Sequence, residues 1–418
     1  MATTEEAPAA RSALAEPTTP IGGGWLTSWT VALSGTYAAY FAVAQVVLPK
    51  QADLVAGASG KVALIAVATA VQSIVSIVAV LAVGALSDRT TARRGRRQVW
   101  VLAGAAITAV GFVAQAFMTD EFGVVATWGL SNVGISMVIG AAFATVPDDV
   151  PVTQRAWVSA FFGIAVSGGP LVGIALVSLV VLDVAPGFVV LGLLALLCAL
   201  PFAFGTRGRR LLPAERPAFS LRALTTEIVR PLRHADFAWA FSGRFFIQLS
   251  NALAQVFLFF YLQDFLHHPD PELGTFILVL IYTVAVVVAA LPVGRISDRT
   301  QRRKRMVVIS SVLQGGAGLI FAFLPFFEAT MIGTVILGVG YGAYAAVDQA
   351  LITQVLPSAE DRGRDLGVIN IANVLPYALA GVFGGIVINS FGYPTLMVLV
   401  LVTGLIAALT VQPIKSVR

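Results

Sequence analysis

Charge is scarce in this sequence. Asp, Glu, Lys and Arg make up 12% of its 418 residues, against about 25% in a typical soluble protein. That excludes a water-facing fold, so the formal net charge of +5 is not read as a basic surface for nucleic acid. Cysteine and histidine are rarer still, one and three respectively. Cys198 lies in the apolar run 193–200, which leaves no intramolecular disulfide and no cysteine-based metal site. His267 and His268 stand beside Asp270 and Glu272 in what reads as a solvated loop, and no Ser/His/Asp or metal-ligand cluster shares a pocket. No metal, cofactor or enzymatic centre is therefore expected. A phosphate-binding Gly-x-x-x-x-Gly-Lys-Ser/Thr loop is missing as well, since Gly60-Lys61 is followed by Val62. The first 20 residues lack the apolar core of a secretion signal and carry Glu5, Glu6 and Glu16 against Arg11, so residues 1–24 read as a disordered tail.

Apolar sequence is abundant: 57% of residues are hydrophobic and the mean hydropathy is +0.86. A helix needs about 20 apolar residues to cross a hydrocarbon core about 30 Å thick. Twelve runs qualify, at 25–48, 62–86, 99–118, 122–145, 156–182, 188–204, 237–261, 273–293, 306–327, 329–352, 366–388 and 393–411. The expected fold is an all-α membrane protein of twelve transmembrane helices in two pseudo-symmetric six-helix bundles, residues 25–205 and 236–412. A Pro/Arg-rich linker, 206–235, joins them, and a tail, 413–418, follows. Counted loop by loop, 24 of the 27 Lys and Arg fall on one side and only Lys50 and Lys61 on the other; Arg244 lies inside the seventh run. Cationic loops stay cytoplasmic, so both termini are expected inside a plasma (inner) membrane.

Gly84-Ala-Leu-Ser-Asp-Arg-Thr90 returns as Gly294-Arg-Ile-Ser-Asp-Arg-Thr300, 210 residues later, and Val146-Pro147 returns as Leu356-Pro357 at the same offset. Two landmarks at one offset, close to half the chain, indicate a duplicated six-helix unit. Parallel repeats around a midplane site are a standard transporter plan. With the Gly84, Asp88, Arg89 loop in place between the second and third spans, the chain resembles the major facilitator superfamily of transporters over nearly its whole length. Within that superfamily, Asp88-Arg-Thr-Thr-Ala-Arg93-Arg-Gly95-Arg-Arg97-Gln-Val-Trp100 resembles the glycoside–pentoside–hexuronide and sucrose-type sugar transporters, although Gln98-Val99 stands where those relatives usually carry Arg-Pro. The resemblance implies alternating access, a small-molecule substrate of sugar or glycoside type, and a cavity lined by helices one, four, seven and ten. The acidic residues that sodium-coupled relatives place in the first two helices are missing here, so protons are the expected coupling ion.

An Asp at a helix end followed by clustered Arg can latch the two halves together. Gly84, Asp88, Arg89, Gly294, Asp298 and Arg299 are the expected cytoplasmic gate, while Arg93, Arg94, Arg96 and Arg97 are read as holding the loop inside. Only two ionisable groups lie within the spans, Arg244 and Asp348. A charge at a helix centre costs at least about 2.5–3.5 kcal/mol, so neither faces lipid, and their similar depth permits a pair. Their counterparts at the 210 offset are Ser34 and Val138, so the pair is not part of the duplicated scaffold. Asp348 is the candidate for proton coupling, with Arg244 tuning it or contacting substrate; a purely structural ion pair is the alternative.

Arg244, Gln248, Asn251 and Gln255 follow one another on one helical face. Similar faces carry Tyr341, Tyr344 and Asp348, then Asn370, Asn373 and Tyr377, then Trp128 and Asn132, and Tyr37 with Tyr40. Amides cannot be satisfied by lipid, so these stripes line a cavity or hold helices together. Aromatic rings beside amides suit a neutral polar ring. Gly168-Gly-Pro170-Leu-Val-Gly173 resembles part of a signature of drug–proton antiporters, which keeps an exporter as one alternative. A ligand sensor that binds without flux is another. A monomer is expected.

Overall fold

The computed structural model describes residues 17–92, 94–206, 208, 211, 231–300, 302–355 and 362–414. Residues 1–16, Arg93, most of the expected linker, the Leu356-Pro357 landmark and residues 415–418 lie outside the described residues. Every long element described is a helix: α1 (Gly23–Ala42), α2 (Leu48–Ser87), α3 (Gln98–Gln115), α4 (Glu121–Asp149), α5 (Val152–Leu179), α6 (Val184–Gly205), α7 (Ala235–Val256), α8 (Pro271–Thr300), α9 (Arg303–Phe323), α10 (Phe327–Val355) and α11 (Arg362–Thr410). Hydrocarbon offers the backbone no partner, so the helix, which satisfies itself, is the form such a chain must take. Among the described residues nine helical stretches are long and apolar enough to cross a membrane. They become ten when Ala235–Val256 and Leu258–Phe265, bent by 45°, count as one span.

Two of these stretches are too long for one crossing. Gly23–Ser87 is 65 residues, about 100 Å of helix at about 1.5 Å per residue. It turns at Gly57 (φ +65°, ψ −176°), just as α11 turns at Gly392 (φ +80°, ψ 175°). α1 and α2 run together through a π-helical turn, Val43–Val47, so the chain between them is helical up to Gly57. Lys50 and Lys61, expected in a loop, are instead on helix. Elsewhere ends are set by chemistry: Asp120 caps α4 by accepting from the Gly123 N–H at 2.9 Å, and Pro147 removes a donor in its last turn.

The packing repeats. α1 lies against α5 and α6, α2 against α4, and α3 against α4 and α6. In the second half α7 and α9 lie against α11, and α10 lies against α8 and α9. Gly169 and Gly173 of α5 face the backbone of α1 at Ser34 and Ala38, where a Cβ would meet main chain. The glycine-rich element of the fifth span thus has a packing role. Between halves, α2 meets α11 where Gly381 faces Thr69 and Gly385 faces Ala66, and α5 touches α8.

Three apolar cores divide the interior. The largest draws on both halves, with Val62, Ile65 and Trp128 from the first and Phe257, Phe260 and Tyr393 from the second. A second core, around Trp29, Val101, Val158 and Phe202, belongs to the first half alone. The third, around Ala240, Val307, Val347 and Val411, belongs to the second alone. The separate cores lie at the face that carries the Arg-rich loops, and the shared one toward the opposite face. Among the described residues the halves therefore share a core toward one face and keep separate cores toward the basic one.

Gly57→Ala and Gly392→Ala each force a side chain into backbone that glycine alone adopts readily, with no close neighbour in the way of the new atom. Each is expected to lose about 1–3 kcal/mol, read as a lower thermal midpoint in detergent. Gly163→Ala, in a helix interior with open space around it, should leave the midpoint equal or higher. An unchanged midpoint for the first two would contradict the two turns.

Candidate functional site

A small pocket lies between the halves. α1 and the π turn supply Tyr40, Phe41, Ala44 and Gln45; α2 supplies Leu48, Ile65, Thr69 and Gln72; α4 supplies Trp128. From the second half come Gln255, Val256 and Tyr377. The lining contains amides, hydroxyls and rings but no Lys, Arg, His, Asp or Glu. Its walls are tied together: the Gln72 Nε2 donates to the Tyr40 hydroxyl at 2.6 Å, and Trp128 Nε1 donates to Gln72 Oε1 at 3.1 Å. Tyr40 and Trp128 are parallel, with centroids 6.1 Å apart, and Phe112 stacks behind Trp128 at 6.2 Å.

Arg244 and Asp348 meet, with Nη1 to Oδ2 at 3.1 Å and side-chain exposures of 11% and 8%. Arg244 Nε also donates to Asn373 Oδ1 at 2.7 Å, which accepts from Gln248 Nε2 at 3.3 Å. The Tyr344 hydroxyl donates to Asp348 Oδ1 at 2.6 Å. This ties α7, α10 and α11 around one buried charge pair. Arg244 and Gln255 are eleven residues apart on α7, about 16 Å along a helix, so the pair lies below the pocket on its basic side. Between them Tyr282 donates to Asn251 Oδ1 at 3.0 Å and its ring lies 6.1 Å from that of Tyr341.

At the opposite face the halves are bolted by charge. Lys61, only 4% exposed, reaches Asp53 at 3.1 Å, and across the halves Asp264 Oδ1 at 2.7 Å and Gln263 Oε1 at 3.2 Å. Its ammonium also lies 4.8 Å from the centre of the Phe260 ring. Tyr393 donates to Asp264 Oδ2 and Gln263 Nε2 to Asp53 Oδ2, each at 3.1 Å. Lys50 pairs with Glu272 at 2.7 Å. Asp53 and Gln263 are themselves 210 residues apart, so equivalent positions of the repeat meet each other here.

The repeated loop behaves differently. Among the described residues Asp88 pairs with Arg97 of its own half, at 2.5 Å. Arg96 and Arg97 are 6% and 5% exposed and both hold Asp148, at 2.5 and 2.8 Å. Reading these two arginines as merely topological is thereby corrected: they tie the loop to the end of α4. Arg94 stacks over Phe204 at 4.8 Å. Arg299 is exposed, Gly84 has open space around it and Gly294 faces Ala346; the Asp298 side chain lies outside the described residues.

Of the other sequence-predicted residues, Tyr40 and Trp128 line the pocket, as do Gln255 and Tyr377 from the polar faces. Arg244, Gln248, Tyr344, Asp348 and Asn373 gather at the charge pair, with Tyr341 6.2 Å from Tyr344. Asn251 bonds Tyr282. Tyr37 is in neither group and packs on Phe41 and Phe162. Asn132 donates back to the Trp128 carbonyl within its own helix. The Asn370 side chain lies outside the described residues. Sequence reasoning missed Gln45, Thr69, Gln72 and the bolt. Gln72 and Thr69 do share a helical face with Ile65, a signal too short to stand out.

Helical halves that repeat one packing scheme around a shared pocket suit a membrane transporter, and the sequence comparison places the chain in a family of them. Residues 25–280 and 240–415 match the Major Facilitator Superfamily, to which the chain belongs. It is a multi-pass membrane transporter, not an enzyme. Among curated proteins none matches at a significant level. A mutant of the nucleoside transporter NupG is similar in structure at a TM-score of 0.76 and 13% identity, over 94% of this chain and 100% of that one. A bacterial homolog of the human lysosomal transporter Spinster, inward-facing and occupied, gives 0.76 and 14%, over 94% and 96%. A POT family transporter with 5-aminolevulinic acid gives 0.70 and 12%, over 92% and 94%.

Removing one member of a buried ion pair costs about 3–5 kcal/mol, but the two members here are not equivalent. A stranded carboxylate can take up a proton, whereas a stranded guanidinium stays charged. Asp348→Asn is therefore expected to lower the thermal midpoint more than Arg244→Met, and the double variant to recover much of the loss. Equal, additive losses would contradict a shared pair.

Proposed function

We propose that this transporter moves a small neutral polar solute, a sugar or glycoside first, together with protons by alternating access. The observation that carries the reading is the pocket between the halves, lined by neutral hydrogen-bonding and aromatic side chains. A charged solute would lose its water there without gaining an opposite charge. Tyr40, Trp128, Gln255 and Tyr377 are assigned to solute contact, with Asn251 and Tyr341 between the pocket and the pair. Asp348 is assigned to coupling and Arg244 to holding it. In hydrocarbon an ionisable side chain is a functional candidate by default, and this one has a proton-donating neighbour in Tyr344.

The turns at Gly57 and Gly392, together with the bent seventh segment, support twelve spans in two six-helix bundles, 25–205 and 236–412, joined by 206–235 and flanked by tails 1–24 and 413–418. The distribution of Lys and Arg supports cytoplasmic termini in a plasma membrane and a cytoplasmic basic face. With that orientation, the bolt around Lys61 and the separate cores toward the cytoplasmic side support an inward-facing state. Asp88, Arg89, Asp298 and Arg299, with Gly84 and Gly294, are assigned to the cytoplasmic gate that forms when the halves rock the other way. A monomer suffices, since both halves of the pocket come from one chain.

The test uses purified protein in liposomes with a trapped pH dye, challenged first with neutral sugars and nucleosides and then with lipophilic cations. Protons are expected to move in the same direction as a neutral solute, and Asp348→Asn to abolish that movement while labelled-solute exchange continues. Proton exchange against a lipophilic cation would replace the reading with export. Solute binding without flux would replace it with sensing.

A further inference from the structure

Most polar groups in the pocket wall are already engaged. The Gln72 amide is held at both ends, by Tyr40 and by Trp128. Gln45 differs: it lines the pocket, and its Oε1 is buried with no hydrogen-bond partner. Among the described residues no other lining side chain carries such an atom. The other glutamines with an unmet buried oxygen stand elsewhere, and Gln115 and Gln314 each use their nitrogen to join helices. Leaving a buried acceptor unmet costs about 1–3 kcal/mol, so an isolated one beside a cavity is matched when something with a donor fills that cavity.

The backbone there is unusual too. Gln45 is the central residue of the π-helical turn Val43–Val47, and single π turns inside helices concentrate at functional sites. Phe41 and Ala44 on one side and Leu48 on the other also face the pocket. On its own helix the amide is thus set among apolar residues. Tyr40, one turn away, accepts from Gln72 and keeps its own hydroxyl proton available to a solute acceptor.

We infer that Gln45 is the residue that selects the solute: its side-chain carbonyl accepts a hydrogen bond from one hydroxyl or N–H of an uncharged polar ring that enters between the halves. The inference rests on the neutral-solute reading and adds the group that is read. A site built to bond a hydroxyl rejects the analogue lacking it far more strongly than an apolar pocket rejects an extra hydroxyl. Discrimination among deoxy analogues is therefore the signature of Gln45.

The experiment measures binding to the full-length protein in liposomes, using methyl β-glucoside and uridine with the monodeoxy derivatives of each. Wild type is expected to lose about 10- to 100-fold in affinity when one particular hydroxyl is removed, and much less for the others. Gln45→Leu is expected to weaken the parent compound to the level of that deoxy analogue while leaving the analogue's own affinity unchanged. Gln45→Asn, which keeps the carbonyl, should restore part of the discrimination. A variant that weakens every member of a series by one factor, or weakens none, overturns the inference and leaves the neutral-solute reading standing. If wild type binds none of these uncharged probes, that reading fails, and this inference with it.

Discussion

Hydrocarbon neither hydrogen-bonds nor solvates, and that single property of the bilayer governs the whole molecule. It forces the backbone into helices that satisfy themselves. It also obliges each polar side chain in a span to find another. The Arg244 and Asp348 pair, bonded to Asn373 and Tyr344, is that rule applied to the two charges buried in the spans. Asn132, bonded to the carbonyl one turn back, is the same rule applied to a lone amide. A few buried polar atoms leave the rule unmet, and among the residues lining the pocket the one that does so is Gln45.

The two faces answer the rule differently. At the face opposite the Arg-rich loops the halves share one apolar core, and Lys61 sits among acceptors from both. At the basic face each half closes its own core, and Asp88, Arg97 and Asp148 are paired inside the first half. Such pairing holds the loop to the bundle it belongs to. The meeting of Asp53 with Gln263, equivalent positions of the repeat, puts the axis relating the halves through the bolt. In the proposed rocking of the halves, the bolt has to come apart before the face it closes can open.

Much of this was written in periodicity and composition. Span positions follow from apolar runs, and the polar face of α7 follows from spacings of four, seven and eleven, which no loop or lipid-facing helix would keep. The turn at Gly57 was not legible, because helix continued through the interval where a loop seemed required. For the same reason Lys61 looked like one of two stray loop charges, and only the arrival of Asp264 from the other half gives it a role. Gln45 and Gln72 were invisible for a different cause: a single amide in an apolar run has no period, and its meaning depends on which helix it meets. Asp88 illustrates a third limit. Its partner, Arg97, lies nine residues away in a loop whose path the sequence does not set.

The most direct test of two halves rocking against each other measures distances at both faces at once. With Cys198 replaced by serine, paired spin labels at Leu54 and Pro269, both exposed at the bolted face, and at Arg94 and Arg302, both exposed at the basic face, report one separation each. The account predicts a short first distance and a long second one in the unmodified bolt. Lys61→Met should shift the population toward the reverse, the first lengthening as the second shortens. If the two distances stayed fixed in that variant, or lengthened together, the bolt would not be what holds this state and the rocking account would be contradicted.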